Sequence, residues 1–426
     1  MNERVRVRAV RTICSAAVMA IALVVTSCST GGSGGAADGP VTGPITLQTW
    51  ALTPTYTEYL NGVIAEFEAA HPGTDVTLLD QPGEGYPVKL LSQASSGSLP
   101  DVVNLDPELA LPLAKRDLLQ PLDEEALTGT YVGGAVDAFR FRGTDGVFAY
   151  PWYLNTDINY WNRDMFQRCG LNADAPPSTT DELFTQAARM AEACPDTYLM
   201  SRKPTITDFS RAGVEILDPA GEQYVFADAP EAVALVERYA AAYRDGLMPP
   251  SVLNSDYLGN SELFTQSKVA WTTGGASALA DIERDNPSLK GRIAVSPALD
   301  TPPLYVQGLA VSANSANPAT AQEFARFMTD AQNQEAFARE VNIFPSTLSS
   351  SGNPYFSTED GSVGSKARVL ANTALGSARV LDPPEANLAM RTFLDQQVAQ
   401  AMRGDKPAGD ALREAQDRMN AMLADS

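Results

Sequence analysis

In this 426-residue chain the side chains best able to do chemistry are carboxylates, amides and aromatic rings, because the other reactive types are scarce. His71 is the single histidine and sits in the turn-forming run Ala70-His71-Pro72-Gly73, so a histidine-based zinc site or a Ser-His-Asp triad has almost no material to build from. The four cysteines, Cys14, Cys28, Cys169 and Cys194, include no C-x-x-C pair. Gly31-Gly32-Ser33-Gly34-Gly35 spells a nucleophile elbow, but the elbow needs a strand before it and a helix after it, and neither is expected there. What remains is a polar and aromatic set at expected strand ends and loops: Trp50, Glu84, Tyr86, Asn104, Asp106, Trp152 and Asn155. Rings offer flat apolar faces, while carboxylates and amides accept or donate in fixed directions, a combination that suits a polyhydroxylated solute. Glu84 and Asp106 could alternatively serve as the acid and base of a glycoside hydrolase. Binding without chemistry is the preferred reading, and no catalytic residue, metal or other cofactor is assigned.

These residues need elements to hold them. Ile45-Thr46-Leu47-Gln48-Thr49-Trp50 alternates as a strand does. Leu60, Val63, Ile64 and Phe67 fall at offsets 0, 3, 4 and 7, one helical stripe, which Pro72-Gly73 ends before a second strand over 75–79. A helix over 87–95 then leads to a short buried strand that meets Asp106. Strand, helix and strand in this order make a βαβ unit, so a parallel sheet is expected. In such α/β sheets ligands bind beyond the carboxyl ends of the strands, so the loops after Trp50, after Asn104 and around Trp152 should face one cleft. Trp161 lies mid-strand and reads as core. Phe324, Phe327, Met328 and Ala331 repeat the helical stripe later in the chain.

The N-terminus carries an address. Arg4, Arg6, Arg8 and Arg11 precede an apolar run from Ile13 to Val25, and Thr26-Ser27 lead to Cys28. This is the layout of a bacterial lipoprotein signal, with an apolar run short of the about 20 residues that span a bilayer. Residues 1–27 are expected to be removed and Cys28 to carry lipid; an ordinary cleaved signal is the alternative. Residues 28–44, rich in Gly, Ser and Pro, read as a flexible tether. The formal charge is −21, and residues 1–27 carry four Arg and one Glu, so the processed chain would stand at −24. Such an acidic body repels phosphate backbones, which argues against a nucleic-acid partner. Outside the cell disulfides persist, so Cys169 and Cys194 are expected to pair, two separate buried thiols being the alternative. About 380 residues after the tether are enough for two lobes.

Several short runs together resemble a known family. They are Phe67-Glu68-Ala69-Ala70-His71-Pro72-Gly73, Ala94-Ser95-Ser96-Gly97-Ser98-Leu99-Pro100-Asp101-Val102-Val103 and Leu119-Gln120-Pro121-Leu122-Asp123. Gly146 to Trp152, Tyr160-Trp161-Asn162-Arg163-Asp164-Met165-Phe166, Pro177 to Leu183 (with Thr180 where the family has tryptophan) and Asp410 to Met419 follow in order. In order and spacing the chain resembles the family 1 extracellular solute-binding proteins of ABC importers, the maltose-binding-protein-like group. The resemblance implies an α/β, two-lobed periplasmic-binding-protein fold, with 45–153 plus 305–344 as the N-terminal lobe and 156–303 plus 346–426 as the C-terminal lobe. Hinge strands would cross near 152–160, 304–309 and 343–346. It also adds Trp271, Gly274 and Gly275 on the second lobe's side of the cleft, and Gln307, Gly308 and Phe344 at the hinge strands, to the ligand-binding set. The function implied is that of a monomeric, lipid-anchored receptor on the outer face of the cell membrane. It would capture a sugar, a neutral oligosaccharide or glycoside, and deliver it to ABC permease subunits. A glycerophosphodiester or other phosphorylated solute is the alternative; it would require Arg or Lys in the cleft, and the strand-end loops named above carry none.

Overall fold

The computed structural model describes residues 37, 39–254 and 259–424. The signal-like segment, Cys28 and most of the 28–44 stretch lie outside them. Residues 34–426 form a compact unit of their own.

Among the described residues, nine strands make two sheets. They are β1 (Gly43–Trp50), β2 (Thr74–Gln81), β3 (Val102–Leu105), β4 (Tyr150–Asn155), β5 (Ile158–Asn162), β6 (Trp271–Gly274), β7 (Ile293–Ser296), β8 (Tyr305–Val311) and β9 (Phe344–Pro345). The first sheet has the order β2-β1-β3-β8-β4-β9 and the second the order β6-β5-β7. β1 pairs in parallel with β2 and β3, as the βαβ pattern requires, because the helix Thr57–Ala70 returns the chain to the same edge. That helix buries Leu60, Val63, Ile64 and Phe67, the stripe read from the sequence. β8, β4 and β9 then join antiparallel.

The chain passes from the first sheet to the second through residues 156–157 and back through 297–304. β5, central in its sheet, is buried on both faces. Ile158 and Tyr160 pack toward the cluster that includes the first sheet, while Trp161 packs toward the helices of the second lobe. Trp161 also donates from Nε1 to Ser296 Oγ at 2.9 Å, so its indole is satisfied inside the core.

Two local readings change. The stripe from Phe324 to Ala331 is split between the helices Pro318–Met328 and Ala331–Val341. Asp330 takes an extended conformation and accepts from Asn333 N at 2.8 Å, and an N-cap of this kind starts a new helix in place of extending the old one. Residues 346–352, expected in the second lobe, stay against elements of the first: Val132 N donates to Ser346 O at 2.8 Å, and Tyr131 bridges to Thr347.

Cys169 and Cys194, each capping the C-terminal end of a helix (Arg163–Arg168 and Thr180–Ala193), are joined in a disulfide. The sequence separation is 25 residues. Replacing Cys194 by Ser is expected to lower the unfolding free energy by about 3 kcal/mol, read from urea unfolding of the oxidised protein. Gly308 shows a different constraint, because a Cβ there would lie 2.6 Å from the Phe139 ring and 2.8 Å from the Ala149 methyl. Gly308→Ala should cost about 1–3 kcal/mol through overpacking, with β8 displaced from Phe139 in its crystal structure.

Candidate functional site

The carboxyl ends of β1 and β3 gather six of the expected site residues. Trp50, half-buried, stacks on Tyr86 with ring centroids 5.5 Å apart and an interplanar angle of 11°. Tyr86 is buried at the start of the helix Tyr86–Ser95, where Gly85 turns the chain at φ 79°, and its hydroxyl donates to the Asn104 carbonyl at 2.8 Å. Burial pushes the Tyr86 phenol above its ordinary pKa, so it acts as a donor and not as an anion. Asn104 Nδ2 donates to Gln307 Oε1 at 3.1 Å and to the Gly308 carbonyl at 3.2 Å. Trp50 Nε1 and Asn104 Oδ1 are buried without a protein hydrogen-bond partner, a donor and an acceptor left over by the fold. Next along the chain, Asp106 caps the helix Pro107–Ala114 by accepting from Leu109 N at 2.9 Å. Burial raises its carboxyl above the usual range against the lowering effect of that cap bond and of Arg391.

Other expected residues are placed differently. Trp152 is fully buried, stacked on Phe337 at 5.0 Å, because β4 is an interior strand that the helix Ala331–Val341 covers. It is a core residue and offers no platform. Phe344 is likewise buried, 5.8 Å from Phe356. Glu84 stays exposed in its loop. Asn155 accepts from Thr156 N at 2.9 Å, and a Cβ on Gly275 would lie 2.5 Å from its amide, so Asn155 and Gly275 make a backbone-close contact between β4 and the segment after β6. Gly274 is similarly tight against Ala278, at 2.8 Å. Trp271 is 2 % exposed and donates from Nε1 to Asn159 Oδ1 at 2.9 Å, yet its edge borders a cavity.

That cavity, of about 300 Å³, is bounded by Asp157, Asn159, Arg202, Asp208, Arg211 and Trp271 among others. A second, of about 190 Å³, is bounded by Asp106, Glu108, Gln307, Asp382 and Arg391. Both are lined by Thr207, Pro303 and Tyr305. Tyr305, the first residue of β8, is 45 % exposed and stands between them, its hydroxyl 3.3 Å from Asp157 Oδ2. Burial raises both the Asp157 carboxyl and the Tyr305 phenol above their ordinary values. Sequence reasoning passed over Tyr305; the usable signal was an aromatic residue directly after Pro302-Pro303-Leu304, at the start of a crossing strand.

Charge is the larger correction. The strand-end loops carry no Arg or Lys, as the sequence reads, but Arg202, Arg211, Arg238 and Arg391 reach the cavities from helices and loops far from them. Each is held by carboxylate. Arg202 and Arg211 both pair with Asp208, Arg238 pairs with Asp181, and Arg391 binds Glu108 at 2.9 Å and Asp382 at 3.2 Å. Glu108 belongs to the helix packed on β3 and β8, whereas Arg391 belongs to the helix Leu388–Arg403, packed among helices of the second lobe, so this ion pair ties the lobes together. Among the described residues no group of three or more His, Cys, Asp or Glu side chains is arranged to hold a metal ion.

The model of the bacterial extracellular solute-binding protein family matches residues 53–335. The chain belongs to this family. A protein of Brucella abortus (strain 2308) named as a binding protein is 25% identical over 250 residues, 56% of this chain and 60% of that protein. The chain thus spans about 60% of the length of such curated relatives. The sn-glycerol-3-phosphate-binding periplasmic protein UgpB of Agrobacterium fabrum is 29% identical over 136 residues, 32% of this chain and 27% of that protein. Among solved structures, one from Synechococcus assigned as an oligosaccharide periplasmic-binding protein matches with a TM-score of 0.78 and 26% identity, over 89% of this chain and 99% of that one. The family and these neighbours are binding proteins, not enzymes.

The tie between lobes can be measured directly. Glu108→Gln or Arg391→Met is expected to shift the protein toward more open forms by about fivefold at low salt, since a half-exposed pair contributes on the order of 1 kcal/mol. Small-angle scattering would show a larger radius of gyration than the parent protein, and the difference should shrink as salt screens the parent's pair.

Proposed function

We propose that this chain is the solute receptor of an ABC importer, held outside the cell by lipid on Cys28, which takes a neutral oligosaccharide or glycoside between its lobes and hands it to membrane permease subunits. The observation that carries the sugar reading is Tyr305, a large aromatic ring left 45 % exposed between two cavities whose walls are carboxylates, guanidinium groups and amides. A pyranose ring stacks its C–H face on such a phenol, and its hydroxyls can donate to Asp157 and Asp106 and accept from the arginines. Pairing each arginine with carboxylate leaves donors and acceptors in the wall without a strong net field, which suits a neutral solute. The likeness to a structure assigned to oligosaccharide binding supports the same reading. Closure of the lobes would remove water from these contacts, and opening at the permease would return it.

A second reading has its own support. Arg202 and Arg211 lie side by side on Asp208, and guanidinium groups so placed can receive a phosphate if that carboxylate gives way. The partial similarity to UgpB points the same way. A panel titration separates the two: residues 34–426 are titrated with neutral oligosaccharides and with glycerol 3-phosphate and its diesters, followed by tryptophan fluorescence and calorimetry. Saturable binding of a neutral sugar without its consumption, weakened about tenfold by Tyr305→Ala, is the expected result. A response confined to phosphorylated compounds and lost in Arg211→Met would replace it with the second reading, and turnover of a glycoside would end both.

A further inference from the structure

A third cavity, of about 500 Å³, adjoins the smaller of the two just described and has Glu108 and Pro384 as walls in common with it. Its sides come from both lobes: the helices Tyr86–Ser95 and Pro107–Ala114 on one side, residues 384–389 on the other. The lining is of another kind from that beside Tyr305. Val88, Leu91, Leu109, Pro112 and Leu388 dominate it, and the charged residues Glu108, Lys115, Arg116 and Glu385 complete its wall. Val88 and Leu388, one from each lobe, are 74 % and 75 % exposed, the two most exposed large apolar side chains of the described residues. A single exposed valine or leucine needs no explanation, but an apolar chamber walled from two lobes beside a binding cleft does.

We propose that the solute carries an apolar group, an alkyl or aryl aglycone, which seats in this chamber while its polar part lies beside Tyr305. The inference rests on the receptor reading above and narrows the class of solute it takes. Continuity decides the occupant. Glu108 and Pro384 wall both spaces, so a group covalently joined to whatever lies against Tyr305 has only this boundary to cross to enter the chamber. A further sugar unit in the chamber would set hydroxyls against Val88, Leu91, Leu109 and Leu388 as well as against its charged wall, and hydroxyls buried unpaired on the apolar side are unfavourable. An alkyl or aryl group there loses no hydrogen bonds and removes the Val88 and Leu388 side chains from water. A volume of about 500 Å³ lies within the range of small-molecule sites. The Glu108–Arg391 pair at the boundary keeps the polar and apolar halves distinct.

The test uses residues 34–426 with n-octyl and methyl β-D-glucopyranoside, and the matching octyl and methyl maltosides, by calorimetry below the micelle concentration. The octyl glycosides should bind at least about tenfold more tightly than the methyl ones, because each buried methylene contributes several-fold to the binding constant. Val88→Asp and Leu388→Asp, both at exposed positions and therefore tolerated by the fold, should remove that excess and leave methyl-glycoside binding unchanged, with unaltered melting confirming folding. Equal affinity for octyl and methyl glycosides overturns the inference and leaves the sugar reading standing. An octyl preference that survives both substitutions also overturns it, as adsorption elsewhere. An octyl preference that depends on Val88 and Leu388 but not on Tyr305 keeps the chamber and removes the sugar. Binding of none of the four overturns the inference outright.

Discussion

Everything in the site depends on how tightly the chain is held where it crosses between its two sheets. Only residues 156–157 separate β4 from β5, and Thr156 is fully buried. Its hydroxyl donates to the Pro303 carbonyl at 2.6 Å, so the outgoing crossing is fastened to the returning one. Asn155 packs against Gly275 on one side of this knot, and Asp157 meets the Tyr305 hydroxyl on the other. A long linker here would let the lobes wander. A two-residue crossing restricts them to rotation about a few backbone torsions, which is the geometry that hinge closure requires. The same shortness places Asp157 and Tyr305 at the floor of the cleft, since neither can leave the crossing that carries it.

The charges of the cleft follow from its burial. A guanidinium drawn into a half-buried wall needs an anion close by, and in this acidic chain the anions are plentiful: 52 Asp and Glu against 31 Lys and Arg. Asp208 consequently serves two arginines, and Arg391 two carboxylates. Such sharing fixes side-chain positions as well as charge, because a guanidinium held from two directions has little rotamer freedom left. In the neighbouring chamber Val88, Leu109 and Leu388 add apolar surface beside the charged Glu108, Lys115, Arg116 and Glu385, so its chemistry differs from that beside Tyr305.

Much of the first lobe was legible from periodicity. Leu60, Val63, Ile64 and Phe67 announced a helix, and the helix between two strands announced their parallel pairing, because local spacing alone decides which face is apolar. Trp50 and Tyr86 stand at the end of a strand and the start of a helix that the pattern located, and Asn104, Gln307 and Gly308 join them across the β3–β8 pairing. Trp152 misled for a physical reason: the sequence does not say whether a later helix will cover a ring on a strand, and residues 331–341 cover this one. The arginines were illegible altogether. Arg202, Arg211 and Arg391 are far from the strand ends in sequence and look like ordinary surface charges until Asp208, Glu108 and Asp382 are seen beside them.

By itself the sequence determined the elements, the family resemblance and the scarcity of histidine and thiol chemistry, all of which are properties of composition and of neighbours within about a dozen positions. The tertiary structure alone decided which rings face the cleft and which face the core, that Tyr305 and not Trp152 is exposed there, and that guanidinium groups line it. The reason is the range of the forces involved. Helical and strand periodicity are written in adjacent residues, whereas burial and ion pairing depend on segments as distant as Glu108 and Arg391, brought together only when both lobes have folded.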